Sequence, residues 1–149
     1  MIFKLDDRLN NDCYTLAENE SSLFLLLNNS YFPWFIIVPK TAQEELYRLP
    51  PEQQKQLQDQ TNLLSEFVAS HFLCDKLNVA AIGNIVKQMH IHVIARTEND
   101  LCWPGVVWGT EFKKAYSVKE AIEIQEKLKV FLGQNKSVSV SSFTFLDLT

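Results

Sequence analysis

The chain has 149 residues and a formal net charge of −4, which argues against a nonspecific nucleic-acid binder, since those carry a basic stripe. Its 46% hydrophobic and 21% charged content is ordinary for a globular protein and leaves no case for disorder. One domain, residues 1–149, is expected, large enough to bury a sizeable core. Cys13, Cys74 and Cys102 are odd in number and scattered, which predicts reduced thiols in a cytoplasmic protein rather than a disulfide framework. The start Met1-Ile2-Phe3-Lys4-Leu5-Asp6-Asp7 lacks the basic onset and long apolar run of a signal peptide. The longest candidate membrane stretch, residues 31–38, is far short of the ~20 residues a spanning helix needs. No membrane association is expected.

In chain order, the first clear signal is a pair of nearly continuous apolar runs, residues 23–28 and 34–38, separated by Asn28-Asn29-Ser30 and Pro33. They predict a β-hairpin buried on both faces or nearly so. Pro50-Pro51 then opens a helix. Leu57, Leu64, Phe67, Val68 and Phe72 recur there at helical spacing beneath a glutamine-rich outer face. Residues 77–82 and 85–95 predict two extended segments, and a loop rich in turn formers and aromatics spans 99–109. Ser117 with Glu120 is a capping-box signature for a helix ending at Gly133, with Val118, Ala121, Ile122, Leu128 and Leu132 as its apolar stripe. The tail 137–145 alternates through Val138, Val140, Phe143 and Phe145, with a phase slip at Ser141-Ser142, as a candidate final strand against a partner subunit. This order predicts an α+β fold, a largely antiparallel sheet with two main helices.

The most telling run is Gln88-Met89-His90-Ile91-His92-Val93-Ile94. On a strand, Gln88, His90 and His92 share one face, while Met89, Ile91 and Val93 face a core. Same-face neighbours lie about 6.6 Å apart, so two imidazoles can reach different oxygens of one phosphate group. Imidazole is the side chain that serves near neutral pH as either a neutral nucleophile or a charged acid.

This run resembles the signature of the histidine-triad (HIT) superfamily of nucleotide hydrolases and transferases, His-φ-His-φ-His-φ-φ with φ apolar, at every position but the first, which is Gln88. The likeness extends upstream through Gly83, Asn84 and Val86, where the family has a glycine-containing phosphate loop. It also covers Leu23-Phe24-Leu25-Leu26-Leu27-Asn28-Asn29 and Pro33-Trp34-Phe35-Ile36-Ile37-Val38-Pro39-Lys40, so that roughly residues 10–97 match in order and spacing. The resemblance implies a HIT-like fold, usually paired as a homodimer, and a nucleotide substrate.

It also implies that His90 attacks the α-phosphorus of a nucleotide and forms a nucleotidyl-histidine intermediate that water then releases. The attacking nitrogen is expected to stand open to solvent, with the other ring nitrogen bonded to the backbone carbonyl of His92. His92 would hold phosphate oxygens through its side chain. Gln88 can orient a phosphate but cannot deliver a proton near neutral pH. Two further departures are Ile85, where the family commonly has a serine or threonine, and Trp34, where many members place a histidine. Gly83 and Asn84 offer backbone N–H groups to an anion. Asn28 and Asn29 stand where the family usually has a ribose-binding carboxylate, or else serve a plain β-turn. Arg96 shares strand parity with the histidines and either faces the phosphates or ends the strand in solvent; Lys87 has the opposite parity. Trp103 and Trp108 fill the core or an interface, or line the cleft.

Three functions compete on this reading. The leading one is a hydrolase or nucleotidyl transferase acting at the α-phosphate, on diadenosine polyphosphates or nucleoside phosphoramidates. The second is a nucleotide-binding protein with little turnover. The third, a metal module on His90 and His92, lacks a further ligand at recognisable spacing. No metal or other cofactor is expected.

Overall fold

The computed structural model of the chain describes residues 2–135 and 142–149. Six antiparallel strands form one sheet in the order β4-β5-β3-β2-β1-β6. They are β1 (Cys13–Glu18), β2 (Ser22–Leu27), β3 (Trp34–Pro39), β4 (Lys76–Ala80), β5 (Ile91–Arg96) and β6 (Thr144–Phe145). The helices are a short α1 (Asp7–Asp12), α2 (Pro51–His71) and α3 (Val118–Gln134), with a 3-10 turn at Leu46–Arg48. This is the α+β architecture expected from the order of elements.

The continuous apolar runs are explained by cover on both sides of the sheet. Phe24, Leu26, Phe35, Ile37, Ile91, Val93 and Ala95 face α2 and α3, where Leu64, Phe67, Val68, Ala121 and Leu128 meet them. Leu23, Leu25, Trp34, Ile36, Val38 and Ile94 face a second cluster, closed by Leu9 of the short α1 and by Phe32 and Val107 from irregular chain. Every residue of β3 and β5 is buried. Central strands of this kind read as unbroken apolar runs because neither face meets water.

Local chemistry sets the helix limits. Pro51 occupies the first turn of α2, where its missing N–H costs nothing. Ser117 Oγ accepts from the Glu120 N–H, and Glu120 Oε1 accepts from the Ser117 N–H, closing the capping box of α3.

The structure adds one strand and corrects three expectations. β1 has no clear signal in the sequence, because a bulge between Thr15 and Ala17 breaks its alternation and buries Leu16 and Ala17 consecutively. The histidine strand begins only at Ile91, and residues 81–90 are irregular. The buried stripe of α3 is Ala121, Ile124, Gln125, Leu128 and Phe131, whereas Val118 is exposed, so the helix is rotated from the expected face. Thr144 and Phe145 pair with the chain's own β1, not with a partner subunit. The remainder of the expected tail strand, through residue 141, lies outside the described residues.

Candidate active site

β5 lies between β4 and β3, and His92 sits in register with Ala80 on one side and Ile36 on the other. Alternation sends Ile91 and Val93 toward the helices and His92 and Ile94 to the opposite face. His90 precedes the strand, yet its ring lies 4.8 Å from that of His92, centroid to centroid, at 69°. The two histidines are therefore brought together, as the His-x-His spacing predicts, although only one is on a strand.

Their tautomers follow from their partners. His90 Nδ1 lies 2.7 Å from the backbone carbonyl of Gln88. A carbonyl only accepts, so Nδ1 carries the hydrogen and Nε2 keeps its lone pair. The acceptor is thus Gln88, not His92 as the resemblance implied, because His90 lies in the irregular segment before β5. His92 has the opposite arrangement. Trp34 Nε1–H donates to His92 Nδ1 at 2.9 Å, which leaves the ring hydrogen of neutral His92 on Nε2. Burial, and secondarily the charge of His90, push the His92 pKa from its usual 6.5 down to about 3. His92 is neutral throughout the physiological range.

The Trp34 contact is a consequence of sheet geometry. Trp34 pairs with Ile94 across the β3–β5 ladder, and Ile36 pairs with His92, so Trp34 and His92 are diagonal neighbours on one face. Diagonal partners lie about 7–8 Å apart, within reach of an aromatic side chain. Trp108 closes the cluster edge-on, 5.3 Å from the His92 ring and 5.8 Å from Trp34. Its own indole N–H is buried with no partner among the described residues.

Other expected site residues are placed differently. Gln88 accepts from the Asp6 N–H at 2.8 Å and donates to the Lys4 carbonyl at 2.9 Å, so the N-terminal segment takes up both ends of its amide. Strand parity does not reach it. Arg96 is buried, bonded through Nε and Nη2 to Asp100 and through Nη1 to Asn78, with Trp103 over its guanidinium. It is buried at the strand end, not solvated there. Asn29 is buried and stitches the chain: its amide donates to the Phe112 carbonyl and accepts from the Tyr31 and Lys114 N–H groups. Asn28 accepts from the Tyr116 N–H. Both asparagines pin the approach to α3. Gly83 and Asn84 are exposed in the segment leading to His90, as is Ile85. A Cβ on Gly83 would lie 3.2 Å from the Val86 carbonyl, so the chain folds tightly there.

Asp100, in sequence a candidate metal ligand without recognisable spacing, organises the cover of the site. Burial raises its pKa, but bonds from Arg96 and from the Cys102 and Thr97 N–H groups, with the guanidinium charge, outweigh burial and hold it below the usual carboxylate range. It also accepts from the Trp103 N–H, fixing the turn that carries Val107 and Trp108 over the histidine face. The signal available was an arginine at the strand end followed four residues later by a turn-forming Asp.

The site is well covered. His90 and His92 are each only 6% exposed, so the expectation of a ring open to solvent is not met; the aromatic cover and the N-terminal segment shelter them. A groove of about 750 Å³ lies elsewhere, between α2 and β4, lined in part by Tyr47, Gln54 and Val79. Burial and, secondarily, Asp12 push the Cys13 thiol up to about 12, which makes it a poor nucleophile. Among the described residues, no group of three His, Cys, Asp or Glu is placed to hold a metal. None of their helices is long and apolar enough to cross a membrane.

A paired-histidine site on the sheet face opposite α2 and α3, in a six-stranded antiparallel sheet, defines an α+β protein of histidine-triad architecture. The HIT domain profile matches residues 8–99, and the chain belongs to the HIT family. It is similar to a histidine triad protein from Marinobacter aquaeolei, at 39% identity over 90% of this chain and 98% of that one, with a TM-score of 0.84. A histidine triad protein from Sinorhizobium meliloti is 35% identical over 86% of this chain and 96% of its own, with a TM-score of 0.82. One from Bradyrhizobium japonicum is 32% identical over the same shares, also at 0.82. No curated protein matches the chain. Family membership supports nucleotide binding and nucleotide hydrolase or transferase chemistry in general terms.

Proposed function

We propose that the protein is a nucleotide hydrolase or nucleotidyl transferase in which His90 attacks the α-phosphorus of a nucleotide. The observation that carries this reading is the 2.7 Å contact between His90 Nδ1 and the Gln88 carbonyl. With the hydrogen pinned there, the Nε2 lone pair is the nucleophile. An N–P bond forms as the bond from phosphorus to the leaving group breaks, its electron pair departing with that group. Water then displaces the ring from phosphorus, and nucleoside monophosphate is released with the histidine restored. His92 Nε2–H donates to phosphate oxygens as charge grows on them. The exposed backbone around Gly83 and Asn84 offers N–H groups to the remaining oxygens. Diadenosine polyphosphates and nucleoside phosphoramidates are the substrate classes in view.

The test uses a nucleoside phosphoramidate with an excellent leaving group. The protein is expected to release nucleoside monophosphate, and a denaturing quench at alkaline pH is expected to leave the nucleotide on His90. His90→Ala should reduce turnover by at least ~1,000-fold. Turnover that survives in that variant refutes the assignment. A second reading, nucleotide binding with little turnover, draws support from the capture of the Gln88 amide by the N-terminal segment and from the shelter of both rings. Tight AMP binding without product would establish it.

We propose further that the protein works in the cytoplasm as a homodimer, without a cofactor. Support for pairing comes from β4, an outer strand of the sheet with Val79 exposed, beside the exposed Tyr47. Sedimentation of the full chain reads the assembly directly.

A further inference from the structure

His92 lies beside the proposed nucleophile, and its ring has two edges. One meets Trp34 Nε1–H at 2.9 Å; the other carries the Nε2 hydrogen. We propose that Trp34 is a positioning residue, holding His92 in the single neutral tautomer that gives hydrogen bonds through Nε2 and gives up no proton. The proposal rests on the reading of His90 as nucleophile, but its first test does not require turnover.

Three features of the structure carry it. Trp34 is itself buried, 6% exposed, and its place on β3 is fixed by the ladder to β5, so its N–H cannot readily turn elsewhere. Trp108 packs edge-on against both rings, at 84° to His92 and 80° to Trp34, which restrains their planes. The indole N–H is a donor only. A hydrogen on His92 Nδ1 would therefore face another hydrogen and lose the bond. That excludes both the Nδ1–H tautomer and the imidazolium. Release of the Nε2 hydrogen would leave an imidazolate, which is out of reach near neutral pH.

The consequence concerns the leaving group. Gln88 has its amide bound to Lys4 and Asp6, and an amide delivers no proton in any case. With His92 confined to donation of hydrogen bonds, neither Gln88 nor His92, the first and third positions of the motif's face, supplies an acid. The leaving group departs carrying its electron pair, unprotonated by either. Rates should therefore fall steeply as that group becomes more basic.

The experiment is two-bond 1H–15N NMR on the full chain with 15N-labelled histidine, assigned by His92→Asn. In the wild-type protein, His92 is expected to show the Nε2–H pattern from pH 8 to pH 5. Trp34→Phe keeps an aromatic ring but removes the donor. It should produce a mixture of neutral tautomers and, toward pH 5, imidazolium. A merely packing role for Trp34 predicts no change in the pattern, and that result overturns the proposal. So does an Nδ1–H or imidazolium signal from wild-type His92, a result that does not depend on the variant folding. The second arm measures release of substituted phenols from adenosine 5′-aryl phosphates. Trp34→Phe should lower kcat at least about twofold, with KM changed less, because only the molecules that keep the Nε2–H tautomer present the donor. Should the NMR pattern hold while wild-type turnover is absent, the positioning role stands and the hydrolase reading falls. Should His90-dependent turnover occur with His92 in the other tautomer, the reverse follows.

Discussion

The two faces of the sheet are covered in different ways. On one, α2 and α3 lay regular apolar stripes on Phe35, Ile37 and Val93. On the other, the short α1 and irregular chain do the covering: the N-terminal segment and the 97–109 turn surround Trp34, Ile36 and Ile94. The helical face is held mainly by area, with Gln60 and Gln125 as buried polar contacts, and the other face is fastened by individual polar groups, among them Gln88, Asn29 and the Arg96–Asp100 pair. The histidines lie on the fastened side.

Breaking each face in turn should separate the two modes. Phe67→Ala on the helical side empties a fully buried ring site and should cost about 3–5 kcal/mol in global stability by urea denaturation. Asp100→Ala on the other side strands the buried Arg96 charge and should cost about 3 kcal/mol. It should also loosen the Trp108 cover, which fluorescence and hydrogen exchange over 97–109 would report; unchanged exchange there would contradict the fastening role.

The pH dependence sharpens the contrast further. In the folded protein His92 titrates near 3, against 6.5 when unfolded, so the native state binds fewer protons between those values. Its contribution is fully present above pH 6.5 and is lost as pH falls toward 3. Between pH 6.5 and 4 the wild-type protein should lose on the order of 2–3 kcal/mol more than His92→Asn does. Parallel stability curves would show that the ring is not held neutral. The smallest effect is expected from Gln88→Ala, which removes two bonds to the N-terminal segment. A loss of about 1 kcal/mol is expected, together with faster proteolysis near residues 4–6 and little change on the helical side.

The same division governs what was legible in the sequence. The hairpin, α2 and the capped start of α3 are visible because periodicity, proline and the Ser117–Glu120 pair each act within a few residues. The histidine pair is visible because its spacing is local too. The fastenings are not, since Gln88 to Asp6 spans 82 residues and Asn29 to Phe112 spans 83. Nothing adjacent to Gln88 shows that its amide is needed by a distant backbone, and so it reads as a weakened triad member. Arg96 misleads for a similar reason: its parity points it to the right face, but Asp100, one turn of chain later, claims its charge. Trp34 reads as a departure from pattern, and only the register of β3 against β5 shows that it substitutes one ring N–H donor into the site.

The bulge in β1 leaves the Leu16 carbonyl outside the regular ladder, and it is met there by the Gln125 side chain and by the Leu146 N–H. Gln125 also reaches the Leu146 carbonyl. A single oxygen atom therefore knots together an early strand, the last helix and the final residues. A protein shortened before Leu146 would have this rivet half undone, and unravelling would start at that border of the sheet, on the far side from the histidines.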